Sequence, residues 1–302
     1  MEKNKKIDLK KLYLSASGSH KGQNGRLLII GGSKLFHSAS LWSLKVASRI
    51  VDLVHFASTE ENNKIVQRLK QEFRDGIVIP RVEIESYIEE DDCILIGPGM
   101  VRNGIFQSQN SKLKTQNLEE ILELENEGLQ TYFLSKYLLN KYPQKEWVID
   151  AGALQMMEPE WIPNCAILTP HLKEFAGLES KIRNKELREK MGKVRIEEKI
   201  KLFAKEFHCT ILLKGSTDYV ASEDKFIDIK GGNAGMTKGG TGDVLAGLVA
   251  ALYCKNDSFL SAAAASFINK KAGEDLYRKM GLWFNASDLS DQIPATMKDL
   301  LL

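Results

Sequence analysis

The chain has 302 residues, of which 43% are hydrophobic and 27% are charged, and this balance excludes a disordered or a fibrous protein. The formal net charge of +2 is too small to favour nucleic acid or an anionic membrane, so neither is predicted as a partner. No stretch approaches the roughly 18 uninterrupted apolar residues of a membrane-spanning helix, and no apolar secretion signal opens the sequence. The four widely separated cysteines fit buried thiols in a reducing compartment, which predicts a cytoplasmic location.

Short apolar runs alternate with longer helical patterns along the chain. The runs predict strands at 26–32, 53–59, 76–80, 93–99, 129–134, 146–152, 165–170 and 209–215. The helical patterns lie at 38–50, 118–128, 197–207 and 258–280. Continuous apolar strands are covered on both faces. The alternation therefore predicts an α/β fold with a mostly parallel central sheet and helices on both faces.

Beyond the last of these strands the pattern changes. Residues 218–232 contain two short β-rich runs around a Ser-Glu-Asp turn, which predicts a hairpin at the edge of the sheet. The sequence has no internal repeat, no low-complexity linker and no change in composition. We therefore expect a single domain over residues 1–302.

Small and polar residues follow most of the predicted strands. They form the segments GGS (31–33), GPGM (97–100), DAGAL (150–154), TPHLKEF (169–175) and KGSTD (214–218), and a glycine-rich segment, GGNAGMTKGGTGDVLAG (231–247), opens a further helix. Ligands of such sheets bind beyond the carboxyl ends of the strands. Each segment alone indicates only a turn, but together they predict a site.

The glycine-rich segment has the features of an anion site. Gly239, Gly240 and Gly242 are expected to allow positive φ angles and close approach of a ligand to the backbone. The first N–H groups of the following helix have no partners within the helix, so they can bind an anion. Asp243 is then either a residue that stabilises the helix dipole or a base that takes a proton from an attacking hydroxyl. The run of glycines before Asp243 favours the role of a base.

Two common nucleotide-binding motifs are missing from the sequence. It contains no G-x-x-x-x-G-K-[ST] segment, and no G-x-G-x-x-G lies between the first strand and the first helix. A nucleotide site of another type is therefore needed.

Several segments together resemble one family. GNAGMTKGGTGDVLAG (232–247) is similar to the signature of the ATP- or ADP-dependent NAD(P)H-hydrate dehydratases, a branch of the ribokinase-like superfamily. The segments HKGQNGRLLIIGGS, CILIGPGM, VIDAGAL, ILTPHLKEF, TILLKGSTDYV and GLWFNASDL follow in the order of that family. The resemblance covers about residues 20 to 295 and implies a ribokinase-like fold. Only about 20 residues precede it, so the N-terminal epimerase domain of many relatives is not expected.

The resemblance implies a reaction and its cofactors. A phosphoryl group from ADP or ATP, with Mg²⁺, would be transferred to the 6-hydroxyl of hydrated NADH or NADPH, and phosphate would then leave to restore the dihydronicotinamide. Self-association of the chain is also implied. A kinase that keeps its phosphorylated product and a noncatalytic nucleotide-binding protein remain alternatives.

The resemblance also implies a role for individual residues. Asp243 would be the catalytic base and would contact the substrate. The nucleotide would bind Lys214, Gly215, Ser216, Thr217, Asp218 and Gly242. The anion hole would be Gly239, Gly240, Thr241 and Gly242. The hydrated cofactor would bind Ala39, Gly99 and His171, and Glu174 and Asn233 could help to place Mg²⁺ through water.

Two of these residues have a simpler interpretation. His171 could be a structural residue at a strand end, and Lys214 could contribute backbone groups rather than its ammonium.

Four residues depart from the family pattern, namely Val101, Leu172, Ala234 and Lys238. Val101 would add bulk near the pocket, and Lys238 would put a positive charge beside the anion hole. Trp42, which replaces a smaller residue, is interpreted as a packing residue.

Overall fold

The computed structural model describes residues 7–102 and 117–302, which contain one sheet of nine strands. The strands are β1 (Arg26–Ile30), β2 (Leu53–Ala57), β3 (Ile77–Val78), β4 (Cys93–Ile96), β5 (Glu146–Ile149), β6 (Ile167–Leu168), β7 (Thr210–Leu213), β8 (Asp218–Ala221) and β9 (Phe226–Ile229). Their order across the sheet is β3-β2-β1-β4-β5-β6-β7-β8-β9. The pairs from β3 to β7 are parallel, and β8 and β9 add an antiparallel hairpin at one edge.

Twelve α-helices belong to the described part of the chain, and they connect or flank the strands. They are α1 (Ser38–Ala47), α2 (Glu60–Arg68), α3 (Ile84–Glu90), α4 (Leu118–Leu122), α5 (Glu127–Lys141), α6 (Ala151–Met156), α7 (Leu172–Lys181), α8 (Lys185–Gly192), α9 (Ile196–Glu206), α10 (Thr241–Tyr253), α11 (Ser258–Met280) and α12 (Ala286–Leu301). None of these helices is long and apolar enough to cross a membrane.

The sheet separates two apolar cores. Successive side chains of a strand point to opposite faces. Leu27 and Ile29 accordingly pack into the core formed with α1, α10, α11 and α12, whereas Leu28 and Ile30 pack into the core formed with α5, α7 and α9. These four side chains have no exposed surface. The predicted α/β architecture, with helices on both faces of a mostly parallel sheet, is confirmed.

One predicted strand is wrong. Residues 129–134 lie inside α5, where Phe133, Leu134 and Leu138 are buried at helical spacing. The Asn126 side chain begins this helix by accepting a hydrogen bond from the Leu129 N–H. The helix predicted at 118–128 is divided, because α4 ends at Leu122 before α5 begins. The edge hairpin at 218–232 is confirmed.

Candidate active site

A cavity of about 770 Å³ opens at the carboxyl end of β7, beside the start of α10. Many of the sequence-predicted site residues line it, namely His171, Lys214, Gly215, Ser216, Asp218, Asn233, Thr241 and Gly242. Another cavity, of about 600 Å³, lies at the start of α2. Among the residues that the structure describes, none of the predicted site residues lines that second cavity. We therefore take the larger cavity as the candidate nucleotide site.

Gly240 is the residue that turns the chain into α10. It is the N-cap of the helix, with a φ of 93°, and a Cβ there would lie 2.3 Å from a ring carbon of Trp42. Trp42 therefore packs against the turn that begins α10, which agrees with its interpretation as a packing residue. Gly239 and Gly242 are absent from the positive-φ residues of the described chain, so the predicted positive φ is wrong at both. Gly242 lies inside the first turn of α10, so it has helical backbone.

The first turn of α10 contains Thr241 and Gly242, two of the residues predicted for the anion hole. The Thr241 hydroxyl oxygen lies 2.6 Å from the carbonyl oxygen of Met236 and 2.9 Å from that of Lys238, and its one proton is donated to these two acceptors as a shared bond. These bonds use the hydroxyl internally and hold the loop in front of the helix. The backbone N–H groups of the first turn, which a helix leaves without internal partners, are the groups suited to an anion.

Lys214 lies close to this turn and is paired with a buried carboxylate. Its ammonium lies 2.9 Å from Oδ1 of Asp150, which also accepts a hydrogen bond from the Thr169 hydroxyl at 2.8 Å. A Cβ added at Gly242 would lie 3.6 Å from the same ammonium. Lys214 is thus placed between the buried Asp150 and the helix turn that carries Asp243.

Burial and nearby charges shift the pKa values of Asp243 and Lys214. Burial raises the pKa of Asp243 to about 7, the Asp150 carboxylate adds to that rise, and the Lys214 ammonium opposes it. Burial alone would lower the pKa of Lys214, but the Asp150 and Glu174 carboxylates outweigh burial and raise it. At neutral pH the lysine is therefore a cation, and Asp243 is close to its midpoint, which is the range suited to a general base.

Asp243 is not among the residues that line the cavity, but it directly follows Gly242, which is. Its backbone carbonyl accepts a hydrogen bond from the Ser43 hydroxyl of α1 at 2.7 Å. At the start of α1, Ala39 lies next to Gly99, where an added Cβ would be 3.0 Å from that of Ala39. Gly99 has a φ of 73°, which favours glycine. Ala39 at the start of α1 and Gly99 in the turn after β4 are thus neighbours.

His171 and Glu174 form a reciprocal cap at the start of α7. The Glu174 N–H donates to Nδ1 of His171 at 3.0 Å, and the His171 N–H donates to the Glu174 carboxylate at 2.8 Å. The structural role considered for His171 is therefore present. With Nδ1 as an acceptor, the neutral ring carries its proton on Nε2, and the side chain is 49% exposed at the cavity. The ring can cap the helix and donate to a ligand.

The turn after β7 is held by groups of its own and of α11. The Asp218 carboxylate accepts bonds from the Gly215 N–H at 2.8 Å and the Ser266 hydroxyl at 2.7 Å. The Lys270 ammonium lies 3.3 Å from Asp218 and donates to the carbonyls of Gly215 and Ser216. Asp218 lines the cavity, but its carboxylate is used to shape the turn. Thr217 is not among the residues that line the cavity.

The described residues do not form a preassembled metal cage. No group of three or more His, Cys, Asp or Glu side chains among them could hold a metal ion. The Glu174 carboxylate accepts bonds from His171 and Gln155, and the Asn233 amide is bonded to Gly235 and Gly273. These two side chains therefore do not fit direct coordination of Mg²⁺, and placement through water stays a prediction.

Lys238 does not direct its charge at the anion hole. Its ammonium donates to the carbonyls of Leu282 and Phe284 and lies 5.5 Å from the centre of the Phe284 ring. Lys238 thus connects the glycine-rich loop by hydrogen bonds to the segment before α12. Val101, the other departure considered important, is half-buried.

Sequence reasoning missed four polar side chains of this region. Asp150 is paired with Lys214, and Thr169 donates a hydrogen bond to Asp150. Asn269 and Lys270 line the cavity from α11. Asp150 stands in the DAGAL segment that follows a predicted strand, so its position was a usable signal. Asn269 and Lys270 lie in the middle of a long helix, and their spacing gives no sign that they face a ligand.

Comparison with known proteins identifies the family. The model of the NAD(P)H-hydrate dehydratase family matches residues 27–295. The bifunctional NAD(P)H-hydrate repair enzyme Nnr of Methanocaldococcus jannaschii is 33% identical over 305 residues, which cover 96% of this chain and 52% of the relative. The ADP-dependent (S)-NAD(P)H-hydrate dehydratase of Nitrosopumilus maritimus is 35% identical over 288 residues, covering 93% of this chain and 91% of the relative. The chain thus spans about half the length of the first bifunctional relatives.

Solved structures agree on the fold. A ribokinase-like superfamily protein of Enterococcus faecalis has a TM-score of 0.76 at 21% identity, covering 96% of this chain and 92% of its own. An ADP/ATP-dependent NAD(P)H-hydrate dehydratase of Bacillus subtilis, co-crystallised with ATP and Mg²⁺, has a TM-score of 0.71 at 22% identity and covers 96% and 95%. The fold is ribokinase-like. With a family match over most of its length, the chain belongs to the NAD(P)H-hydrate dehydratase family.

Proposed function

We propose that this protein dehydrates hydrated NADH or NADPH at the expense of ADP or ATP and so restores the reduced nicotinamide cofactor. The observation that carries the proposal is the position of Asp243. Its carboxylate has a pKa of about 7 and belongs to the first turn of α10, directly after Gly242, which lines the cavity, and its backbone carbonyl is bonded to Ser43 of α1. A base next to the nucleotide cavity can accept the proton of a hydroxyl group that attacks the terminal phosphorus.

The proposed reaction has two stages. Asp243 accepts the proton of the 6-hydroxyl group while the hydroxyl oxygen forms a bond to the terminal phosphorus of the nucleotide. The bond from that phosphorus to the leaving nucleotide oxygen breaks, which releases AMP from ADP or ADP from ATP. Phosphate then departs with the C6–O bonding electrons, and a proton lost from the neighbouring ring carbon leaves the electron pair that forms the ring double bond.

The surrounding residues support the first stage electrostatically. Lys214 is held as a cation by Asp150, and the N–H groups of α10 point toward the charge that develops on the transferred phosphoryl group. Fixed dipoles and charges of this kind stabilise a transition state without reorganisation. Mg²⁺, if bound, would neutralise nucleotide phosphates, and it would be held by those phosphates rather than by a protein cage.

We propose that either ADP or ATP can donate the phosphoryl group. The relative from Nitrosopumilus maritimus is named as ADP-dependent, which supports ADP, whereas the Bacillus subtilis relative is named for both nucleotides. Single-domain organisation, self-association and a cytoplasmic location remain predictions. One continuous sheet supports the first, and large exposed apolar side chains such as Trp283, at 85% exposure, are consistent with the second.

One experiment separates the candidate functions. Purified protein is incubated with hydrated NADH, Mg²⁺ and either ADP or ATP, while the absorbance of reduced nicotinamide and the released nucleotide are followed. We expect recovery of the absorbance with one nucleotide consumed for each NADH formed. Nucleotide turnover on another acceptor without recovery would instead indicate a small-molecule kinase. Neither change would indicate a noncatalytic nucleotide-binding protein.

A further inference from the structure

A chain of hydrogen bonds joins two segments that are predicted to bind the hydrated cofactor, the turn after β4 and the start of α7. The Arg102 guanidinium donates from Nη1 to Oε1 of Gln155 at 2.9 Å. Nε2 of Gln155 donates to Oε1 of Glu174 at 2.7 Å. The other oxygen of Glu174 accepts the N–H of His171 at 2.8 Å. Arg102 follows closely after Gly99, so the chain runs from the segment of one predicted substrate residue to the other.

The amide of Gln155 fits between its two neighbours in one orientation only. A guanidinium can only donate hydrogen bonds and an ionised carboxylate can only accept them, so the amide oxygen must face Arg102 and the amide nitrogen must face Glu174. Gln155 belongs to α6, which packs closely on the turn after β4, because the Met100 carbonyl leaves no room for a Cβ at Gly152. Glu174 is buried. The chain therefore holds the Arg102 side chain from a buried anchor.

Arg102 itself is exposed and keeps donors for a ligand. The bond to Gln155 uses one of its several N–H groups, and Gln155 is neutral. Ordering an exposed arginine costs side-chain entropy, which an ion pair could offset. Within the described part of the chain, the arginines that form salt bridges with carboxylates are Arg26, Arg183 and Arg278, and Arg102 is not one of them. A bound anion would supply the missing partner.

The position of Arg102 points to which ligand supplies that anion. Among the described residues that line the nucleotide cavity beside α10, Arg102 is absent. It lies instead on the segment of Gly99, which is predicted to bind the hydrated cofactor. Hydrated NADH and NADPH both carry a diphosphate bridge, and the latter carries a further phosphate on a ribose.

We propose that Arg102 binds a phosphate group of the hydrated cofactor and that Gln155 is the positioning residue that directs its guanidinium. This inference rests on the proposed function, because it needs hydrated NADH or NADPH beside Gly99 and His171. A guanidinium binds two phosphate oxygens through parallel hydrogen bonds, and the donors of Arg102 that Gln155 does not use suit this geometry. Arg102 would thus recognise the phosphates at a distance from the hydroxyl that reacts at Asp243.

Three reduced nicotinamides test the proposal through binding alone. The probes are NADH, NADPH and dihydronicotinamide riboside, which carries no phosphate, and their dissociation constants are measured by fluorescence titration with the wild type and with Arg102→Met. We expect the variant to bind NADPH at least about tenfold more weakly, because hydrogen bonds to a charged group are lost. The riboside should bind as before. An equal loss for NADH identifies the diphosphate bridge, whereas unchanged NADH binding identifies the ribose phosphate.

Gln155→Leu tests the positioning role separately. It keeps Arg102 but removes both hydrogen bonds of the amide, so NADPH should bind more weakly than to the wild type. The double variant Arg102→Met/Gln155→Leu should lose no more affinity than Arg102→Met alone, because the amide acts through the guanidinium. The KM for hydrated NADPH should rise in each variant while kcat stays nearly unchanged, since the lost contact binds ground state and transition state equally.

Another exposed arginine provides the matched control. Arg183 is paired with Glu160 at 3.5 Å, and Arg183→Met should bind all three probes as the wild type does. Wild-type affinity of Arg102→Met for both NADH and NADPH would overturn the proposal, and so would an equal loss for the riboside, which would indicate a packing effect. Additive losses in the double variant would overturn the role of Gln155. These results leave the proposed function intact, whereas a wild-type protein that binds neither NADH nor NADPH would overturn both.

Discussion

Asp243 combines a raised pKa with a position at the first turn of a helix, where a carboxylate could also serve only to stabilise the helix dipole. If it is the base, Asp243→Asn should lower turnover by about 10² to 10⁴, because an amide of the same size cannot accept the proton. The nucleotide dissociation constant should stay nearly unchanged. Recovery of NADH absorbance and calorimetry measure the two effects.

A second aspartate provides the control for this substitution. Asp257 is the N-cap of α11, and its carboxylate accepts a hydrogen bond from the Leu260 N–H, which an amide oxygen can also accept. Asp257→Asn should therefore retain wild-type turnover. Near-normal turnover of Asp243→Asn would return Asp243 to the role of a helix-stabilising residue.

Lys214 should control the pH at which the base becomes active. The protonated carboxyl of Asp243 cannot act as a base, so kcat/KM should fall as the pH drops through about 7. Lys214→Met removes the cation that opposes the rise in the Asp243 pKa, and this acidic limb should move to higher pH by about one unit. Lys199→Met, which removes a lysine paired with Glu179 at 2.7 Å, is the control. An unmoved limb would mean that another group limits the profile.

Two glycines at the start of α10, Gly240 and Gly242, have different backbone conformations and different neighbours. Gly240 supplies a left-handed turn in contact with Trp42, whereas Gly242 has helical backbone and faces the cavity. A methyl group at Gly242 would meet only the Lys214 ammonium, at 3.6 Å. The two positions should therefore respond differently to alanine.

Gly242→Ala should fold normally but bind nucleotide at least about tenfold more weakly, because the methyl group occupies space beside the phosphoryl group. Gly240→Ala should instead lose stability, by about 1–2 kcal/mol from backbone strain alone. Calorimetry with ADP and thermal unfolding distinguish the two effects. Gly192→Ala, at the end of α8 with open space around an added Cβ, should change neither property. Wild-type affinity in Gly242→Ala would contradict close approach of the ligand to this turn.

Helices and strands can be predicted from the sequence where the local pattern of apolar and capping residues fits only one of them. The helix predicted at 258–280 is confirmed as α11, because an apolar periodic pattern runs between the Asp257 cap and Gly281. Residues 129–134 were predicted wrongly, since a short apolar run with aromatic residues satisfies both the strand and the buried-helix pattern. Asn126, a residue type that often begins a helix, is the sequence feature that favours a helix here.

The complete molecule adds contacts that no local pattern contains. Lys214 meets Asp150 from 64 positions away, and Lys270 meets Gly215 from 55 positions away. The sequence indicated which strand ends carry polar residues, and the parallel sheet explains why they meet at one edge. It could not show that Asp218 would be used internally or that Asn269 would remain unpaired, because both facts depend on how α11 packs against the turn after β7.

The raised pKa of Asp243 should reduce the free energy of unfolding of the whole protein at neutral and alkaline pH. In the unfolded chain Asp243 ionises near its ordinary pKa of 3.8, whereas in the native state it holds its proton up to about pH 7, so the free energy of unfolding falls as the pH rises between these values. Asp243→Asn removes this loss and should stabilise the protein at pH 8, on the order of 1–2 kcal/mol after solvent screening of a half-buried group. Thermal unfolding at pH 8 should then show a midpoint a few degrees higher, with the gain shrinking toward pH 4. Asp257→Asn, which keeps its cap, should show no such gain, and an equal gain for Asp243→Asn at both pH values would contradict ionisation as the cause.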